Sequence, residues 1–343
     1  MNRFEWTTPQ SVSQALEMQT ATTAKSMLSA SGKPSTGASI LKAGGVDLLG
    51  LMKEGLLTPA RIVNLRNIPE LGRIVDQPDG TLRIGANVTL AQLATDQAVK
   101  ARYKALADAA GNSASPQLRQ IATIAGNLLQ RPRCWYFRSV HHHCARKGGV
   151  TCFAFAGENE YHAIFGHDGC AIVHPSTAAT ALVALGAKVE LAGADGARRI
   201  VALETFLVPP ATDIRRENDL HDGEIVTAIL LPAMGPRVRS VHLRQGELDS
   251  FDWPIADVAV VLDLGANGEC RSASVILGAA APVPYRARGA EAVLTGSAVS
   301  EETARVAARA ALTGAAPLAK NAYKLPVFEA LVRRAIITAA NPT

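Results

Sequence analysis

The sequence predicts an α+β fold built in three parts, and three observations lead there. The chain has 343 residues, more than one simple core accommodates. Up to about residue 232, short strand-like runs alternate with helical stretches and glycine turns. From about residue 235 the texture changes to a meander of strands followed by helices. The expected division is 1–57, 58–232 and 233–343.

Apolar positions across 11–30 recur at helical spacing. "SGKPSTGAS" (31–39) is a loop; Pro34 stands where a phosphate loop needs Ser or Thr, so the stretch reads as punctuation. "SILKAGGVDLLGLMKEG" (39–55) gives a short strand, a glycine turn and a helix. "ARIVNL" (60–65) and "TLRIGANVTL" (81–90) have strand character. The Ala-rich stretch 90–115 is helical and ends near Gly111. "QIATIAGNLLQ" (120–130) is a second small-residue turn. "CAIVHPSTAATALVALGAKVELAG" (170–193) reads as strand, loop, helix and strand. "IVALETFLV" (200–208) and "EIVTAILLP" (224–232) are strand and turn material. "ADVAVVLDLG" (256–265) and "RSASVILG" (271–278) form two strands of a meander with a turn at "ANGEC" (266–270). The tail 301–340 is two helices joined by a link containing Pro, Asn and Tyr. No fixed-period repeat is present.

Composition narrows the function classes. Hydrophobic residues make up 48% of the chain and charged residues 19%, the balance of a globular protein. The net charge of +5 is dispersed, without a Lys/Arg block, which argues against nucleic acid as a partner. No apolar run approaches the ~20 residues a membrane span needs. No apolar core follows Arg3, so a secretion signal is not expected and the default compartment is cytoplasmic.

Two glycine turns carry the first functional signal. Gly44 and Gly45 stand between an apolar strand and a helix, where positive φ exposes successive backbone N–H groups to a phosphate. The turn lacks the "GxGxxG" spacing of a dinucleotide-binding βαβ unit. In "TIAGNLL", Thr123, Gly126 and Asn127 combine a hydroxyl, bare backbone and an amide, suited to a polar heterocycle or ribose. Either stretch alone also reads as a plain turn.

The second signal is the segment 133–170, with four of the five cysteines and five of the eight histidines. The spacing is Cys134–x9–Cys144–x7–Cys152–x17–Cys170, with no CxxC knuckle of the structural zinc or ferredoxin kind. Clustered thiols in a chain of this size point to a metal or redox centre rather than a disulfide framework. A cluster on four thiolates, a zinc or mixed site using His141, His142 or His143, and free thiols remain open from spacing alone. Cys270 lies far from the others and reads as an ordinary free cysteine.

"KAGGVDLLGLMK", "SPQLRQIATIAGNLLQR", "LHDGEIVTAILLP", "FDWPIADVAVVL" and "NAYKLPVFEALVRRAI", in this order, resemble the FAD-binding medium subunit of the molybdenum hydroxylases, the xanthine dehydrogenase and carbon monoxide dehydrogenase family. The resemblance covers nearly the whole chain. It implies a two-part, PCMH-like FAD-binding region followed by a C-terminal α+β domain with a three-stranded antiparallel sheet. It implies Lys42, Ala43, Gly44, Gly45, Val46, Asp47, Leu48 and Leu49 as the pyrophosphate loop, and Thr123, Ala125, Gly126 and Asn127 as the second cradle. Ile225 and Val226 would line the isoalloxazine. Arg244 stands where relatives have a lysine, and Thr177 where they commonly have an acid near the adenosine part.

A subset of that family, resembling the periplasmic aldehyde oxidoreductase of enteric bacteria, inserts a segment carrying a [4Fe–4S] cluster. "QRPRC", "CARKGGVTC" and "CAIVHPS" match that insertion, over about 131–171, and imply Cys134, Cys144, Cys152 and Cys170 as its ligands. The implied role is electron transfer in a heterotrimer. A molybdenum-cofactor large subunit would hydroxylate the substrate, an aldehyde or N-heterocycle. A [2Fe–2S] small subunit would deliver electrons to FAD, and an external acceptor would take them. No catalytic acid–base or nucleophile set is expected here. A partner with a twin-arginine signal would carry the folded complex to the periplasm. The competing readings are a self-contained flavin oxidase or dehydrogenase, and a non-catalytic metal-bearing interaction module.

Overall fold

The computed structural model describes residues 2–27 and 37–341. Most of the 31–39 loop and the end of the 11–30 helix therefore lie outside the described residues. What is described of that helix is two short ones, Val12–Met18 and Thr23–Ser26. Ser11 and Thr22 cap them, each accepting a backbone N–H three residues on, at 3.2 and 3.3 Å.

The fold is α+β, and the described residues form three sheets. The first takes β1 (Glu5–Thr7), β2 (Ser39–Lys42) and β3 (Arg61–Asn64) in the order β1-β3-β2, all parallel. Its third strand lies past residue 57. Helix Val46–Lys53 follows β2 and buries Leu48, Leu51 and Met52 against Ile40 and Ile62.

The second sheet has five antiparallel strands: β4 (Ile74–Asp76), β5 (Leu82–Gly85), β6 (Lys188–Gly193), β7 (Arg198–Ala202) and β8 (Glu224–Leu231), ordered β4-β5-β8-β6-β7. Central β8 is buried from Ile225 to Ile229, which explains its near-continuous apolar run. The Ala-rich stretch is three short helices, Leu90–Thr95, Gln97–Arg102 and Lys104–Gly111. The first break is local chemistry: Asp96 leaves the helical conformation and its carboxylate accepts the Val99 N–H at 2.9 Å, starting the next helix.

The cysteine segment runs between helices Ile124–Leu128 and Thr177–Ala184 and holds only single turns, Trp135–Arg138 and Ala145–Lys147. The strand expected from Cys170 onward does not form. Its backbone is satisfied elsewhere: Ala171 accepts from Ala163 N at 3.0 Å and His174 N donates to Ala281 at 2.9 Å. The His174 bond, with those from Ile164 N and Phe165 N to the Ala280 carbonyl at 2.8 and 3.1 Å, fastens the segment to the last part of the chain.

That part holds β9 (Val238–Gln245), β10 (Ala256–Leu264), β11 (Cys270–Gly278) and β12 (Tyr285–Arg286), antiparallel in the order β12-β11-β10-β9. The sheet has four strands where three are expected, because Tyr285 and Arg286 add a two-residue edge against Leu277 and Ile276. Helices Glu301–Ala310 and Lys324–Ala340 are the two expected in the tail. Pro326 sits in the first turn of the latter, where its missing N–H breaks no helical bond. Phe328, Val332 and Ile336 bury that helix in the core under β10. Among the described residues no helix is long and apolar enough to cross a membrane.

Candidate functional site

A cleft of about 710 Å³ lies between the small parallel sheet, the five-stranded sheet and the β9–β10 loop. Both glycine turns open onto it. Gly45 adopts φ +82°, a left-handed conformation suited to glycine, and begins helix Val46–Lys53 with no side-chain cap. The first-turn N–H groups of that helix therefore face no capping side chain. Gly44 has no room for a Cβ, because the Ile121 carbonyl of the second turn occupies that space. The second turn starts helix Ile124–Leu128, where Thr123 Oγ1 accepts the Gly126 N–H at 3.2 Å. Ser176 donates to Asn127 Oδ1 at 2.5 Å and orients that amide.

Every expected cofactor residue but one lines this cleft: Lys42 through Leu48, Thr123, Ala125, Gly126, Asn127, Thr177, Ile225, Val226 and Arg244. Leu49 turns the other way and packs on the small core around Ile40 and Leu51. Lys42 reaches Asn64 Oδ1 at 3.3 Å and lies 5.3 Å over the Trp6 ring. Burial, and then the neighbouring Arg66, hold its amine below the usual range. Arg244 donates to the Asn112 and Ser250 carbonyls at 2.8 and 2.7 Å, so it ties two loops together at the cleft wall.

An arginine network that sequence spacing does not reveal joins the cleft to the cysteine segment. Asp47, in the glycine-turn helix, accepts the Arg131 N–H at 2.8 Å and pairs with Arg133 at 3.0 Å and Arg138 at 2.6 Å. Glu217, buried at 3% side-chain exposure, pairs with Arg131 at 3.1 Å and Arg146 at 2.6 Å. Glu217 comes from a loop some 70 residues away, so only the tertiary fold brings it there.

Cys134, Cys144, Cys152 and Cys170 line one small recess of about 10 Å³, enclosed by Tyr136, Phe137 and Ile172. Arg146 Nε donates to Cys170 Sγ at 3.4 Å, and His162 Nε2 lies 3.3 Å from Cys134 Sγ. A hydrogen bond from Cys152, and the Arg146 guanidinium, pull the Cys170 thiol down. Burial pushes Cys134 up to about 11. The histidine on the recess is His162; His141, His142 and His143 do not line it. His142 instead bonds Ser139 Oγ at 3.1 Å and packs edge-on to Phe153. Among the described residues no three His, Cys, Asp or Glu side chains gather as a site for a single metal ion. Cys270 is buried on β11, apart from the recess, with Sγ 3.3 Å from the Ser272 carbonyl.

The comparisons with known proteins agree with this geometry. The profile of the FAD binding domain in molybdopterin dehydrogenase matches residues 2–234, and that of the CO dehydrogenase flavoprotein C-terminal domain matches 242–339. The chain is 35% identical to the aldehyde oxidoreductase FAD-binding subunit PaoB of Escherichia coli strain K12, over 89% of this chain and 91% of that one. It is 27% identical to the carbon monoxide dehydrogenase medium chain of Hydrogenophaga pseudoflava, over 97% and 96%. A solved carbon monoxide dehydrogenase from H. pseudoflava, lacking the Mo-pyranopterin moiety, superposes with a TM-score of 0.71 at 26% identity, over 98% of this chain and 97% of that one. The chain belongs to the FAD-binding medium subunits of the molybdenum hydroxylases, and is an oxidoreductase subunit of that family.

Proposed function

We propose that this chain is the electron-transfer subunit of a heterotrimeric molybdenum hydroxylase acting on an aldehyde or N-heterocycle, and that it carries a [4Fe–4S] cluster beside its FAD. The proposed units are an FAD-binding pair, 1–57 and 58–232, and a C-terminal domain, 233–343. Lys42 to Leu48 would hold the pyrophosphate with backbone N–H groups, and the Thr123–Asn127 turn the ribityl and flavin parts. Ile225 and Val226 would form an apolar wall for the ring. Thr177 offers a hydroxyl without charge. Leu49 is retained only as support for the loop, since it faces the core.

The observation that carries the cluster is the gathering of Cys134, Cys144, Cys152 and Cys170 on one recess. The donor set fits: four thiols and no carboxylate suit iron–sulfur ligation, and a four-iron cluster spreads its thiolates farther apart than one ion does. Arg146 adds positive charge beside Cys170, and its buried Nη2 has no hydrogen-bond partner. Such charge and N–H donors suit an anionic cluster and raise its potential.

FAD accepts electrons singly and releases them singly or as a hydride, and the cluster relays single electrons. The protein's part is to hold both dry and close. The large molybdenum subunit and the [2Fe–2S] subunit would dock on its surface and supply the substrate chemistry. Iron and sulfide analysis of the anaerobically purified complex tests the reading. Changing each of the four cysteines to Ser should remove about four irons per complex. Unchanged iron in Cys134→Ser or Cys152→Ser would reject the ligand set.

A further inference from the structure

A second recess, of about 310 Å³, shares the wall formed by Arg133, Pro175, Thr177 and Trp253 with the large cleft. It also shares Cys134 with the thiol recess. Building on the functional reading above, we infer that this recess binds a neutral, planar, conjugated cyclic electron acceptor of the quinone class.

Size, shape and charge each narrow the ligand. The volume lies near the lower end of small-molecule pockets, roughly 300–1,000 Å³. Trp135, Tyr161 and Trp253 supply aromatic surface, and they remain 36%, 40% and 56% exposed. Two of them meet edge to face at 5.9 Å, which leaves ring surface uncovered for a flat guest. Glu247, Asp252 and Asp257 also line the recess, against Arg133. Arg133 is already engaged, with Asp47 at 3.0 Å and over the Trp253 ring at 4.9 Å. An acceptor with phosphates, such as a nicotinamide dinucleotide, meets more carboxylate than free cation there.

One buried donor points to a carbonyl. His174, 5% exposed, lines the recess and accepts the Ser176 N–H at Nδ1, 3.3 Å away. In the neutral ring its proton therefore sits on Nε2, which has no partner. Burial keeps the ring neutral. A quinone carbonyl oxygen is a matching acceptor. The quinone gains two electrons and two protons and becomes the hydroquinone. Both electrons and both protons leave the dihydroflavin, which returns to the oxidised form.

Equilibrium dialysis of the FAD-loaded full chain against tetramethyl-p-benzoquinone tests this; its methylated ring cannot add thiols. One binding site is expected. His174→Leu and Tyr161→Ala should each weaken it about tenfold, and His174→Gln, which keeps a donor, should weaken it less. NAD⁺ should not bind at the recess or compete. Three results overturn the inference: no quinone binding by a chain that holds flavin, binding indifferent to both variants, or binding lost once FAD is loaded, which would mean the flavin fills the recess. A chain that takes up no flavin counts against the functional reading instead, and the same dialysis then tests the recess on the chain as isolated.

Discussion

A side-chain carbon on Gly44 would stand 2.1 Å from the carbonyl oxygen of Ile121, so each glycine turn forms part of the other's wall. A methyl group at this position must push backbone against backbone, and the two cradles separate. Gly44→Ala should weaken FAD binding about tenfold or more while the protein still folds. Gly50 is the control. It lies inside helix Val46–Lys53, and a Cβ there meets only Arg138 Nη1 at 3.9 Å. Gly50→Ala should add about 0.5–1 kcal/mol of stability and leave flavin content unchanged. Flavin released per chain on denaturation, with urea unfolding, checks both.

Asp47 ties the glycine-turn helix to the cysteine segment through Arg133 and Arg138, and its own side chain is 15% exposed. Asp47→Asn keeps an acceptor but removes the charge that offsets two largely buried guanidiniums. The expected loss is about 3 kcal/mol in urea unfolding, with iron lost before flavin as denaturant rises. Coincident loss of both would contradict a link that acts mainly on the cysteine segment.

Lys324 is buried, and its amine donates to the Ala279 and His162 carbonyls at 2.6 and 3.1 Å. Burial lowers it from the ordinary 10.5 to about 7, against the raising effect of Asp257. Between those values the unfolded chain holds a proton that the folded chain has released, so stability rises with pH across the window. The slope is at most about 1.4 kcal/mol per pH unit. Lys324→Met should lack this component. Its stability relative to wild type is then greatest below pH 7 and falls toward 10.5. Unfolding curves that stay parallel across that window would contradict the assignment.

Much of this was legible in the chain, for physical reasons. Strands such as Ile225–Ile229 and Ala256–Leu262 are buried on both faces and announce themselves as apolar runs. The glycine turns show because their backbone conformation excludes other residues. β9 was not legible: "VRSVHLRQ" has few apolar positions, and pairing with β10 makes it a strand. The expected strand at Cys170 failed because its backbone partners, Ala163 and Ala281, lie in irregular segments. Glu217 and His174 were not legible as site residues, since nothing local distinguishes a polar residue that tertiary contacts will bury; His162 lies in the Cys/His segment, but spacing drew attention to His141, His142 and His143 instead. Leu49 marks the limit of reading a motif as a block: it alone of residues 42–49 does not line the cleft, and it packs half-buried against the small core instead.

The most direct test of the central claim is a reductive titration of the anaerobically purified full chain, followed by absorbance and counted in electrons per chain. FAD takes two electrons and one [4Fe–4S] cluster takes one, so about three equivalents are expected, with the flavin bands bleaching alongside a broad iron–sulfur absorbance. An uptake of about two, with flavin bleaching alone, would remove the cluster from the account, and no uptake at all would contradict the cleft as a flavin site.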